Sequence, residues 1–166
     1  MKVVCNSSPL IHLSAMGQLN LLKELFLEVL IPEEVYEEVV IHGKEQPGSV
    51  DVRTAAWIVS SHVSNRTALR TLQATLGSGE AACIVFADSI DADLVILDDK
   101  LARLHAQTQG LKVTGTVGVL LKSDERCGLD FRVALQELLA TGFRLSPREA
   151  RKIMALWQHL INDNYF

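Results

Sequence analysis

The run Leu94-Val95-Ile96-Leu97, apolar at every position and stopped by Asp98-Asp99, constrains this chain more than any other segment. A strand with no polar face has no side to offer water, so it reads as a central strand buried on both sides. Strands of that kind belong to parallel sheets covered by helices, and ligands of such sheets bind beyond the carboxyl ends of the strands. Two adjacent carboxylates at that end repel each other unless a cation or base answers them.

The rest of the chain alternates in the same way. Val3-Val4-Cys5 reads as a first strand, ended by the polar turn Asn6-Ser7-Ser8-Pro9, with Pro9 suited to the first turn of a helix that runs to Gly17. A helix near 19–26 leads into a strand at 28–31, and Pro32 opens a helix carrying Val35, Val39 and Val40. Residues 42–51, with Gly43, Pro47 and Gly48, read as a surface loop. A short strand is expected at 57–59, weak helicity over 65–76, and a helix from about Glu80 to Ile90 after Gly77-Ser78-Gly79. Beyond Asp98-Asp99 come a helix closed by Gly110, a strand at 111–113, and a helix capped by Thr114-Gly115-Thr116 and running through Leu121. Two helices remain. The last opens with the capping box Ser146-Pro147-Arg148-Glu149, and its stripe of Ile153, Met154, Trp157 and Leu160 is of the kind that more often joins a core than an interface. With no repeat or linker, residues 1–166 are expected to form one α/β domain.

Composition narrows the class. A net charge of −4 argues against a general nucleic-acid coat, which needs a broad basic surface, but leaves room for an enzyme with a local basic rim. Cys5, Cys83 and Cys127 form no CxxC pair, so reduced thiols in a cytoplasmic protein are expected. No signal peptide and no membrane-spanning run is read from the sequence.

Several acidic residues are candidates for chemistry. Asp98 and Asp99 stand at the strand end; either alone could cap the following helix, but capping accounts for only one. Glu80 heads a helical stripe of Cys83, Ile84 and Ala87, where a carboxylate is costly unless paired, hydrogen-bonded or metal-bound. The dipole of the helix offers it a simpler reason to be there. Of Glu33, Glu34, Glu37 and Glu38, most are solvated charge, and Glu38 is the candidate to point inward. Asn6 and Ser8 lie at the crevice edge, where turn and capping duties are the plainer reading. Lys100, Arg103, Arg148, Arg151 and Lys152 could flank a cleft, although each is ordinary surface if taken singly. Gly115-Thr116-Val117-Gly118 matches no phosphate-binding loop and reads as a tight turn into a helix.

Four segments, VVCNSSPLIHL, LGSGEAACIVFA, VILDDKLAR and VTGTVGVLL, together resemble the PIN-domain family. The likeness is to its branch of small prokaryotic proteins akin to the ribonucleases of toxin–antitoxin pairs. The resemblance implies an α/β/α sandwich with a central, mostly parallel sheet and an Mg²⁺- or Mn²⁺-dependent nuclease acting on RNA. It places Asn6 at the first acidic position with Ser8 as hydroxyl companion, Glu38 at the second, Glu80 at the third and Asp98-Asp99 at the last. Glu38, Glu80, Asp98 and Asp99 are then the expected catalytic set. Asn6, Glu80, Asp98 and Asp99 are the expected metal ligands, and Ser8, Lys100 and Arg103 the substrate contacts. An antitoxin protein and a homodimer are the implied partners.

Asn6 departs from the pattern, because an amide ligates through oxygen but brings no charge. It leaves open a rival reading, a PIN-like domain that binds RNA or a protein without catalysis. A nucleotide-binding regulatory domain is a third reading, disfavoured by the missing phosphate loop.

Overall fold

The computed structural model describes residues 1–163. Five short strands form one sheet: β1 (Val3–Cys5), β2 (Val29–Pro32), β3 (Ile58–Ser61), β4 (Leu94–Ile96) and β5 (Val113–Thr114). Their spatial order is β3-β2-β1-β4-β5, and every pairing is parallel. The two central strands, β1 and β4, pair with Cys5 opposite Ile96. Val3, Val4, Cys5, Val95, Ile96 and Leu97 are all fully buried, which is why these runs carry no alternation of polar residues.

The helices cover both faces of the sheet. On one, α6 (Ser78–Ser89) lies across β2, β1 and β4 and packs against α3 (Glu33–Tyr36), α5 (Arg66–Gln73) and α7 (Lys100–Thr108). It is buried nearly all round, and Ala81, Ala82, Cys83 and Ala87 are small enough to let it approach the strands closely. On the other side α8 (Thr116–Cys127) packs against α1 (Ser7–Ala15), α2 (Asn20–Phe26) and α9 (Phe131–Ala140). The result is the expected α/β/α sandwich, with an all-parallel sheet.

Some boundaries differ from the expectation. Helix α8 continues six residues past Leu121, because buried Ser123 extends the stripe of Val119 and Leu120. The intervening polar residues conceal that stripe in the sequence. The helix stops at Gly128, whose φ of 67° supplies the left-handed cap. The expected loop at 42–51 yields its last three residues to α4 (Ser49–Thr54), which buries Val52. Helix α1 begins at Ser7, two residues before Pro9. After α3 the chain continues as a π-helical turn, Glu37–Ile41, for which the sequence offers no signal.

The last helix, α10 (Pro147–Asp163), opens with the predicted capping box: Ser146 N donates to Glu149 Oε2 at 2.9 Å and Glu149 N to Ser146 Oγ at 3.1 Å. Ile153, Met154 and Trp157 pack against the core, and Trp157 Nε1 donates to Asp124 Oδ2 at 3.1 Å. Those three residues serve the fold of their own chain, while Leu160 of the predicted stripe stays exposed. Among the described residues no helix is long and apolar enough to cross a membrane.

Candidate functional site

Strand order reverses at β1. The chain runs from β1 to β2 and β3 on one side, then returns to lay β4 and β5 on the other. Helical crossovers leave a crevice between β1 and β4 at their carboxyl ends, the position where doubly wound sheets bind ligands. Asn6 follows β1 there and is tied to β4 by its backbone, Asn6 N donating to Ile96 O at 3.1 Å. Asp98 stands two residues beyond the end of β4.

Three carboxylates and one amide reach this crevice from separate elements. Asn6, only 2% exposed, donates Nδ2 to Glu80 Oε1 at 3.1 Å, and its Oδ1 faces the Cys83 thiol at 3.9 Å. Glu38, carried by the π-helical turn, accepts from Ser7 Oγ at 2.5 Å and from Gly79 N at 3.0 Å. A first-turn N–H of α6 thus serves a carboxylate, as the polarity of a helix start favours. A Cβ at position 79 would stand 2.8 Å from both Asn6 Oδ1 and Glu38 Oε2, so glycine is what lets these oxygens approach α6.

Asp98 sits at the other wall of the crevice. Its Oδ2 accepts from Ser8 Oγ at 2.9 Å and Thr116 Oγ1 at 2.7 Å, and its Oδ1 accepts from Thr116 N at 2.7 Å. Asp99 plays a different part. Exposed to solvent, it caps α7 by accepting from Ala102 N at 2.8 Å. Lys100 is paired with Glu149 at 2.7 Å, and Arg103 Nη1 donates to Leu97 O at 3.2 Å. Both basic residues are thus already engaged near the crevice.

Ser7, Gly79, Gly115 and Thr116 join the site without being singled out by the sequence. Ser7 is obscured by its neighbour, since only the start of α1 decides that Ser7 meets Glu38 while Ser8 meets Asp98. Thr116 carries a signal in the Thr-Gly-Thr cap, which taken alone indicates only turn chemistry. At Gly115 a Cβ would lie 2.6 Å from Arg103 Nη1 and 2.9 Å from Asp98 Oδ1.

The crevice is electrostatically negative. Among the described residues, Glu38, Glu80 and Asp98 take part in no ion pair. Burial first, then Cys5, Glu80 and Glu38 in that order, push the Cys83 thiol well up. Burial and then Asp98 do the same for Cys5. Both thiols stay protonated and make poor nucleophiles. Burial lowers the pKa of His12, and Asp98 partly opposes that shift. Among the described residues no three His, Cys, Asp or Glu side chains are drawn together as a ready metal cage. The carboxylates are arranged around the crevice rather than converging on one point.

No curated protein matches the chain at a significant level. A family model described as a PIN domain matches residues 2–159. That match takes in every strand of the sheet and both walls of the crevice, and the chain belongs to the PIN-domain family.

Proposed function

We propose that this protein is a divalent-metal-dependent endoribonuclease whose working residues are Glu38, Glu80 and Asp98, with Asn6 as a neutral fourth oxygen donor. One observation carries the reading. Three carboxylates from different elements line the switch-point crevice, and among the described residues none of them takes part in an ion pair.

The donor set fits Mg²⁺ or Mn²⁺. Every candidate ligand offers hard oxygen, and such ions need only one or two carboxylates because they retain waters and take the rest from substrate phosphate. Glu80, Asp98 and the Asn6 amide oxygen would hold the ion, with Glu38 beside them. When bound, it would supply positive charge at the phosphoryl oxygens and orient the attacking water. The chain's own residues do the positioning. Ser8 and Thr116 fix Asp98, Ser7 and Gly79 fix Glu38, and Asn6 fixes Glu80. Asp99 commits its carboxylate to capping α7, so its share in catalysis is the smaller one.

Purified protein should cleave single-stranded RNA with added Mn²⁺ or Mg²⁺ and lose that activity in Glu80→Gln and Asp98→Asn. Full activity in both variants would remove the site. The further reading, a toxin acting in the cytoplasm as a homodimer under control of an antitoxin protein, rests on family membership. Light scattering and co-purification from the native host test it.

Asn6 favours a second reading, a PIN domain that binds RNA or protein without catalysis. Its amide donates to Glu80, which leaves that carboxylate with one fewer open lone pair for a cation. Calorimetry showing no uptake of Mn²⁺ at millimolar concentration would decide for this alternative.

A further inference from the structure

A second cleft of about 420 Å³ opens beside Asp98, walled by the start of α8, the segment 143–145 and the first turns of α10. Its charge is opposite to that of the crevice. Lys100, Arg103, Arg144 and Lys152 line it, against Asp98 and Glu149. A chain with net charge −4 thus gathers four basic side chains at one opening, next to its most acidic corner. The floor is apolar, built from Phe143, Leu145 and Ile153, and the Phe143 ring is held edge-on by His12 at 5.2 Å between centroids. Gly115 and Gly118 contribute wall without side chains.

We infer that this cleft seats the nucleotide flanking the scissile phosphodiester, with its base against Phe143 and its phosphates between Arg144, Lys152 and Lys100. The reasoning is charge complementarity joined to an aromatic floor, the combination by which proteins hold single strands without base-specific readout. A phosphate arriving here competes with Glu149 for Lys100, the two now 2.7 Å apart. Because the cleft shares Asp98 with the acidic crevice, one strand can span both. The inference rests on the ribonuclease reading only for which bond is attacked. Seating of the strand stands apart from cleavage.

Binding of fluorescent single-stranded RNA, followed by anisotropy in EDTA at low salt, reads the cleft without turnover. Lys152→Glu and Arg144→Glu should each weaken binding about tenfold and flatten its salt dependence. Phe143→Leu, which keeps apolar volume but removes the π face, should weaken it about tenfold as well. Arg151→Glu makes the same charge change outside the lining and should shift affinity less than about twofold. Thermal melts confirm that each variant is folded. Absence of binding by the unmodified chain, or equal losses in Arg151→Glu and Lys152→Glu, overturns the inference. So does polyglutamate binding as tightly as RNA with Phe143→Leu silent, the result expected of a surface for acidic proteins. Expected losses in binding without metal-dependent cleavage support the cleft and sink the ribonuclease reading. Cleavage with KM unchanged in Lys152→Glu and Arg144→Glu does the reverse.

Discussion

The amide of Asn6 donates to Glu80 Oε1 across 3.1 Å, joining the end of β1 to the first turn of α6. The contact is possible because position 6 is neutral. A carboxylate there would face Glu80 with no proton between them.

Asn6→Asp should therefore lower the stability of the metal-free protein by about 2 kcal/mol, one charge-assisted hydrogen bond replaced by repulsion. For a chain of this size the melting temperature should fall by roughly 4–8 °C. Added Mn²⁺ should restore it, since an ion that binds only the native state stabilises by mass action. Unchanged melting with and without Mn²⁺ would show that position 6 does not share a cation with Glu80.

The two aspartates after β4 should separate cleanly. Asp98 holds three hydrogen bonds, so Asp98→Asn should lose stability, by about 2 kcal/mol, instead of gaining it from relieved repulsion. Asp99→Asn should be neutral to within about 0.5 kcal/mol, because Asn caps a helix as well as Asp does. Denaturant melts of both variants check this, and equal losses would contradict the division of roles.

Gly79→Ala sets two effects against each other. Alanine gains about 1 kcal/mol of helix propensity. Its Cβ would also stand 2.8 Å from Asn6 Oδ1 and from Glu38 Oε2, which Ser7 holds, and 3.0 Å from Glu38 Oε1, which Gly79 N itself holds. Hydrogen bonds to a charged group are worth about 1.5–3 kcal/mol, so the net change should be a modest loss of about 1 kcal/mol. The assay to run is RNA cleavage, which should fall far more than stability; retained cleavage would mean that Glu38 need not sit where it does.

Glu149 gives a dependence on pH. The Lys100 ammonium first, then the Ser146 backbone and hydroxyl, hold its carboxyl down from 4.5 to about 2. A depressed carboxylate stabilises the fold above its unfolded value and loses that contribution as pH falls through the folded one. The melting difference between the unmodified chain and Glu149→Gln should thus be constant above about pH 5 and vanish toward pH 2. Glutamine keeps the capping box, which isolates the Lys100 pair. Because that pair is exposed, added salt should shrink the difference as well.

The sheet is legible because its central strands are apolar throughout, and the capping box because its letters have fixed spacing. Asp98 can be picked out from its position at a strand end. The choice between Asp98 and Asp99 cannot, since it depends on where α7 begins and which carboxylate turns toward Thr116. Glu38 is reachable only as one of four neighbouring glutamates. The π-helical turn that directs it inward is a one-residue change in hydrogen bonding, and no residue type marks it. Ser7 and Gly79 are hidden for the same reason, because their roles exist only in the contact between α1, the π-turn and α6.

The pairing of β1 with β4 has a consequence in time. Ribosomes deliver Asn6, Ser8 and Glu38 early, yet Asp98 and the Thr116 that steadies it emerge much later. A nascent chain halted after β3 has no second wall, and its crevice does not exist. The chemistry proposed for the site would therefore be withheld during the protein's own synthesis until Thr116 has left the ribosome.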